Sequence, residues 1–301
     1  MRTLPASRPL RGANFAWVIR TTAIVLILGV LVAYAVLAVA TIAANWYFYD
    51  AEGYWEAGMR LRSGGELYPP LADQDHPSVY RYAPWFAWIW AGLTFLPRES
   101  VLIAWGVLMA AASLWLLWQL PRSVTGAVLA LIFAPMLLRV VSQGNIQPLM
   151  VAGLAWGVMR RSGPVWVATA ASIKMVPILF AALYLARREY ERAALSAAIT
   201  ALLWLPVVAY GIEHYPTGMG GEAFPFGPAT FAIAAAAVVA VFLAPGRYRI
   251  VAATIAVTFA SPRWIPYNPT YLLCGTPRHR RPSPPEAGTD YAPSFGNAAG
   301  T

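Results

Sequence analysis

The chain has 301 residues, of which 59% are hydrophobic and 12% charged, with a formal net charge of +9. An average soluble domain carries about 25% charged residues, and a domain of this length has too little interior to hide so much apolar side chain. These figures exclude a soluble enzyme, a secreted soluble domain and a disordered chain. They leave an all-α, polytopic bundle of about 8–10 membrane helices, some of them short or re-entrant.

The positive charge is unevenly built. Arginine supplies 21 of the 22 basic residues, and Lys174 is the single lysine. The arginines stand singly or in pairs beside apolar runs. That is the pattern of topology signals and anionic-lipid contacts, so the expected partners are membrane lipids and not nucleic acid. One cysteine, Cys274, excludes a disulfide framework, a thiolate metal cluster and a CxxC redox pair.

Arg2, Arg8, Arg11 and Arg20 precede the uncharged stretch Thr21–Ala44. Its 24 residues exceed the 7–15 of a signal-peptide core, which predicts a retained helix behind a cytoplasmic tail, residues 1–16. The connection 45–81 is then outside. It holds Asp50, Glu52, Glu56, Glu66, Asp73 and Asp75 against Arg60, Arg62 and Arg81. Trp46, Tyr47 and Trp55 read as interfacial belt residues. Within this connection 51–62 predicts an interfacial helix with Tyr54, Trp55, Ala57, Met59 and Leu61 partly inward, ended by Ser63-Gly64-Gly65.

Eight further uncharged or nearly uncharged stretches follow: Tyr82–Pro97, Ser100–Pro121, Ser123–Leu138, Val140–Met159, Ser162–Ala186, Ala193–Ile212, Ala223–Gly246 and Ile250–Pro262. Tyr82–Pro97, Ser123–Leu138 and Ile250–Pro262 are short for the roughly 20 residues of a crossing, so they must tilt, span thinly or turn back. Arg160–Arg161, Arg187, Arg188, Arg192, Arg247 and Arg249 all read as cytoplasmic. Parity then breaks Ser162–Ala186 into an outgoing and a returning helix, with Lys174 and Pro177 at the tip, where proline removes a helical hydrogen bond. The same parity makes Tyr82–Pro97 re-entrant. The competing reading is one crossing with Lys174 at mid-membrane. The membrane domain is expected to cover 17–274. The tail 275–301 carries Pro277, Pro282, Pro284, Pro285 and Pro293 without apolar period and reads as disordered. Tyr271–Cys274 looks like a further span that does not continue.

Ionisable residues at membrane depth are functional candidates by default. Asp50 follows the first span at the outer interface, where a desolvated carboxylate can act as a base; the competing role is a helix N-cap. Lys174 interrupts its apolar stretch and suits a phosphate; the competing role is a snorkelling lysine. Ser142-Gln143-Gly144-Asn145-Ile146-Gln147-Pro148 is a polar turn, either a plain loop or a source of amide hydrogen bonds to a sugar or phosphate. Asp73 and Asp75 are oxygen-ligand candidates for a divalent cation, although no motif requires a metal or another cofactor.

Taken in order, these islands resemble the GT-C class of membrane glycosyltransferases. More narrowly they resemble glycosyltransferase family 87, the polyprenyl-phosphate-mannose-dependent mannosyltransferases. The similarity lies in Asp50, Tyr54 and Ala57, then Leu61, Gly64 and Leu67-Tyr68; in Tyr82-Ala83-Pro84 with its apolar run to Leu96-Pro97; in Gln143-Gly144-Asn145; and in Ser172-Ile-Lys174-Met-Val-Pro177 before Arg187-Arg188. It implies transfer of a hexosyl, mannosyl in the family, from a polyprenyl-phosphate donor to a lipid or glycan acceptor, with inversion, on the outer side of the cell membrane. It implies Asp50 as base, Lys174 and Arg81 at the donor phosphate, and Tyr54, Tyr82, Gln143 and Asn145 at substrate. The family is longer by several spans, which raises a truncated, inactive homologue as an alternative. A small-molecule or lipid transporter is another, since transporters also carry broken helices and buried charge.

Overall fold

The computed structural model describes residues 11–44, 47–69, 79–210, 228–261, 265 and 267–276, and every regular element among them is helical. In chain order these are α1 (Arg11–Ala44), α2 (Tyr49–Arg62), α3 (Pro84–Leu93), α4 (Arg98–Trp118), α5 (Val124–Ser142), α6 (Gln147–Gly157) and α7 (Gly163–Ile173). A 3-10 segment, Val176–Phe180, leads into α8 (Ala181–Ala186). Then come α9 (Tyr190–Trp204) with a 3-10 extension Leu205–Tyr210, α10 (Pro228–Leu243), α11 (Tyr248–Phe259) and a final 3-10 segment, Asn268–Gly275.

Three of the described helices are long and apolar enough to cross a membrane unaided: Arg98–Trp118, Val124–Ser142 and Tyr190–Tyr210. At 1.5 Å per residue the 21 residues of α4 reach about 31 Å, the thickness of the hydrocarbon. Their surfaces suit lipid. On α4, Val101, Met109 and Leu116 are buried while Ile103, Val107 and Leu114 are exposed, an arrangement that would aggregate in water.

The boundaries differ from the charge pattern in instructive places. Arg139 does not end its helix: α5 runs through it to Ser142, so the stretch Ser123–Leu138 is long enough after all, and Val140–Met159 is two helices' residues parted by the turn at 143–146. Backbone geometry, not a lone charge, sets the break. On α2, Tyr54 and Ala57 are buried as expected, but Met59 is exposed, because it lies on the face turned away from α3. Tyr271–Cys274 is no fresh span. It belongs to the last 3-10 segment, which folds back on α6 and α11, with Leu273 and Cys274 buried.

Hydrogen bonds sort the ends of the bundle. The Tyr184 hydroxyl donates to the Val158 carbonyl at 2.7 Å, Arg192 donates to the Arg160 carbonyl, and Arg249 donates to the carbonyls of Ala186 and Ala244 at 3.1 and 3.0 Å. The turns α6–α7, α8–α9 and α10–α11 therefore meet at one arginine-rich end. Lys174, between α7 and the 3-10 segment, is at the other end, so the chain goes out along α7 and returns through α8. Both ends of α3 touch α2: Tyr82, just before it, meets Tyr54, and the Thr94 carbonyl at its close accepts from Arg62 at 2.8 Å. That helix lies alongside α2, and its 10 residues, about 15 Å, are short for a crossing.

Candidate active site

The end opposite the arginines gathers residues from five parts of the chain. Asp50 is the second residue of α2, whose N-cap is Phe48, so the N-cap role is not its own. Its backbone N–H donates to the Gln143 carbonyl at 3.0 Å, and its Oδ2 accepts from Asn145 Nδ2 at 2.9 Å. Asn145 follows a turn that closes α5. The N–H of Gly144 bonds the Val141 carbonyl and that of Asn145 the Val140 carbonyl, with Gly144 at φ +67°, the paired bonds of a Schellman cap. A Cβ on Gly144 would come within 2.6 Å of Ala51 Cβ and 2.8 Å of Phe48 Cδ1. Glycine is needed there twice, for the φ and for the approach of α2.

The amides then run on toward Lys174. Asn145 Oδ1 accepts the Gln147 N–H at 2.9 Å, which fixes which way the Asn145 amide faces. Gln147 is fully buried; its Nε2 donates to Thr270 Oγ1 at 3.2 Å and its Oε1 accepts from Lys174 Nζ at 3.0 Å. Lys174 is in extended conformation where α7 stops, and Pro177 prevents the α-helix from resuming. Tyr267 completes the group. Its hydroxyl accepts from Asn145 Nδ2 at 3.2 Å and from Lys174 Nζ at 3.5 Å, and the ammonium lies 4.6 Å from the centre of its ring.

Beside Asp50 opens a cleft lined by Gly53, Tyr54, Val79, Tyr80, Arg81 and Tyr82. Tyr54 is almost wholly buried against Tyr82, Phe86, Trp90 and Trp105; its hydroxyl donates to that of Tyr82 at 3.1 Å and accepts from the Ile146 N–H at 3.4 Å. This packed wall holds Tyr82, which keeps part of its surface at the cleft. Arg81 brings a second cation to the mouth. Loss of water around the Asp50 carboxylate pushes its pKa above the ordinary carboxylate value, opposed by the Asn145 hydrogen bond and by the charges of Lys174 and Arg81.

Of the residues expected from sequence, Asp50, Asn145 and Lys174 share this network, while Tyr54, Tyr82 and Arg81 line the cleft with Asp50. Gln143 is adjacent but contributes its backbone carbonyl to Asp50. Asp73 and Asp75 lie outside the described residues; among the described residues no group of three or more His, Cys, Asp or Glu could hold a metal ion. Sequence reasoning missed Tyr267, Thr270 and the part played by Gln147. The tyrosine and threonine stand in a Pro-rich stretch with no apolar period and no motif, and nothing local marks them.

The sequence model of glycosyltransferase family 87 matches residues 80–217. The resemblance read from the motifs is borne out over that stretch, which is similar to a membrane glycosyltransferase family and includes Arg81, Tyr82, Gln143, Asn145 and Lys174. Asp50, Tyr54 and Tyr267 lie beyond its limits. No curated protein and no solved structure matches the chain.

Proposed function

We propose that this protein transfers a hexosyl group, mannosyl in keeping with the family, from a polyprenyl-phosphate donor to a lipid or glycan acceptor, with inversion at the anomeric carbon. The observation that carries the reading is the placing of a carboxylate and an ammonium, 124 residues apart in sequence, in one hydrogen-bonded group: Asp50 to Asn145, Asn145 to Gln147, Gln147 to Lys174. An inverting transfer needs both charges. The acceptor hydroxyl attacks the anomeric carbon and gives its proton to Asp50, whose Oδ1 is left for it while Asn145 holds Oδ2. The bond from the anomeric carbon to the donor phosphate oxygen breaks on the far face, and the electron pair leaves with the polyprenyl phosphate. Lys174, with Arg81, meets the growing phosphate charge in a site of low dielectric.

The membrane explains the rest of the design. A polyprenyl donor stays in the bilayer, so the pocket must open to lipid and to water. We assign the arginine end to the cytoplasm, in accord with the excess of arginine there, and the site to the extracytoplasmic side of the cell membrane.

The test uses the full chain in vesicles, given labelled polyprenyl-phosphate mannose and a panel of lipid and glycan acceptors. Transfer with an inverted linkage is the expected result. Transfer from a nucleotide sugar but not from the polyprenyl phosphate would sink the donor assignment, and a retained linkage would sink the single displacement.

A further inference from the structure

The group that joins Asp50 to Lys174 is closed by a segment far along the chain and outside the family match. Counting donors shows what that segment does. The Asn145 amide has two N–H groups, and they go to Asp50 Oδ2 and to the Tyr267 hydroxyl. The Lys174 ammonium has three; one goes to Gln147 Oε1 and one to the Tyr267 hydroxyl. Gln147, the other brace of Lys174, is itself held by Thr270 Oγ1, which in turn donates to the Tyr267 carbonyl at 2.7 Å. Four residues after Thr270, Cys274 Sγ anchors the segment to the Val151 carbonyl on α6 at 3.6 Å. The stretch from Tyr267 to Cys274 is thus tied to α6 at its far end and to both arms of the site at its near end.

We propose that Tyr267 is a positioning residue: its hydroxyl, by accepting from Asn145 and Lys174 together, fixes the distance between the carboxylate arm and the ammonium arm of the site. A hydroxyl oxygen with two lone pairs can take both donors at once, which no aliphatic side chain could do. Its ring adds a second, weaker hold on the ammonium from below. The assignment of Lys174 to a donor phosphate rests on the proposed transfer reaction, but the brace does not, and the two can be tested apart.

Lys174 is the sole lysine of the chain, so amine acylation followed by peptide mass analysis reads this one side chain, with the terminal amine resolved as a separate peptide. An acylating reagent attacks the neutral amine. Oxygen partners keep the ammonium protonated, so removal of one must speed the reaction. Tyr267→Phe keeps the ring and its packing and deletes only the acceptor. It is expected to raise the acylation rate of Lys174 about threefold to tenfold, with the melting temperature close to that of the unaltered protein. In the transfer assay it is expected to lower kcat about tenfold with less change in the donor KM, because arms already occupied by substrate lose their spacing.

Thr270→Val supplies a second reading with the tyrosine in place. It frees Gln147 Nε2 and slackens the same brace, for an expected acceleration of about twofold, and it gives the answer should Tyr267→Phe lose its melting transition. Acylation of Lys174 at the unaltered rate in both variants would overturn the proposal. So would a fall in kcat that only tracked a fall in melting temperature. If the unaltered protein transfers no sugar, the reaction assignment fails and the acylation rates still decide the brace.

Discussion

Two helix ends in this molecule have the same backbone and opposite surroundings. α5 and α8 both finish in a Schellman cap. The first is closed by Gly144 at φ +67°, with Gly144 N–H on Val141 and Asn145 N–H on Val140. The second is closed by Arg188 at φ +60°, with Arg188 N–H on Leu185 and Glu189 N–H on Tyr184. At the site end the cap is packed against Ala51 and Phe48 and leaves no space for a side chain. At the arginine end it is exposed, and an arginine occupies a conformation that costs a residue with a Cβ roughly 1–2 kcal/mol. The difference teaches where the chain is constrained by geometry and where by charge. One end is shaped around a carboxylate; at the other Arg188 keeps a strained backbone at the surface.

The largest effect should come from the group that the first cap positions. Asp50→Asn keeps the size of the side chain and removes its capacity to take a proton, so transfer is expected to fall about 10³-fold. The folded protein should melt at or above the temperature of the unaltered one. Burial raises the Asp50 pKa, so at neutral pH its ionised form is less favourable in the folded than in the unfolded chain, and the amide relieves that cost. The same shift fixes the sign of the pH dependence. The base works deprotonated, so kcat/KM should rise with pH through an inflection above the ordinary carboxylate range and be lost below it. Transfer by the Asn variant within tenfold of normal, or an inflection in the ordinary range, would remove Asp50 from this role.

Gly144→Ala asks whether the cap itself matters. The added methyl meets Ala51 Cβ at 2.6 Å and a backbone that alanine adopts only with strain. Relief requires α2 to move, and with it the Asp50 N–H bond to Gln143 and the carboxylate bond to Asn145. A displacement of about 1 Å at a reacting group costs on the order of 10² in rate, and overpacking together with the positive φ should lower stability by about 2–4 kcal/mol. Melting and transfer measured on the same preparation check both. Normal transfer from a destabilised variant would show that Asp50 is not placed by this contact.

Much of this was legible in the sequence, for reasons that differ from residue to residue. The all-helical membrane class follows from apolar composition. Asp50, Asn145 and Lys174 were readable because polar residues within apolar runs are costly enough to need a purpose. The break at Lys174 was readable because Pro177 cannot continue a helix. Helix ends were less so: Arg139 looked like a boundary but its long side chain is tolerated in the last turn of α5, whereas the turn inside Val140–Met159 was readable from its amides, glycine and proline. Tyr267 could not be found from sequence at all. Its role comes from meeting Asn145 across 122 residues and Lys174 across 93, and no local pattern encodes such a distance.

The smallest effect should come from the second cap, with the opposite sign. Arg188→Gly removes the strain of a positive φ in a side chain that is exposed and remote from Asp50 and Lys174. The relief is offset by the greater freedom of glycine in the unfolded chain, about 0.5–1 kcal/mol. A net gain of about 0.5 kcal/mol remains, or a rise of about 1–2 °C in Tm for a chain of this size, with transfer unchanged. Gly144→Ala adds a Cβ at one cap and Arg188→Gly removes one at the other, and the two substitutions should move stability in opposite directions. If Arg188→Gly lowers Tm instead, the arginine holds its end of the bundle by its side chain more strongly than its backbone strains it. The arginine end would then be, like the site end, a place where position counts and not charge alone.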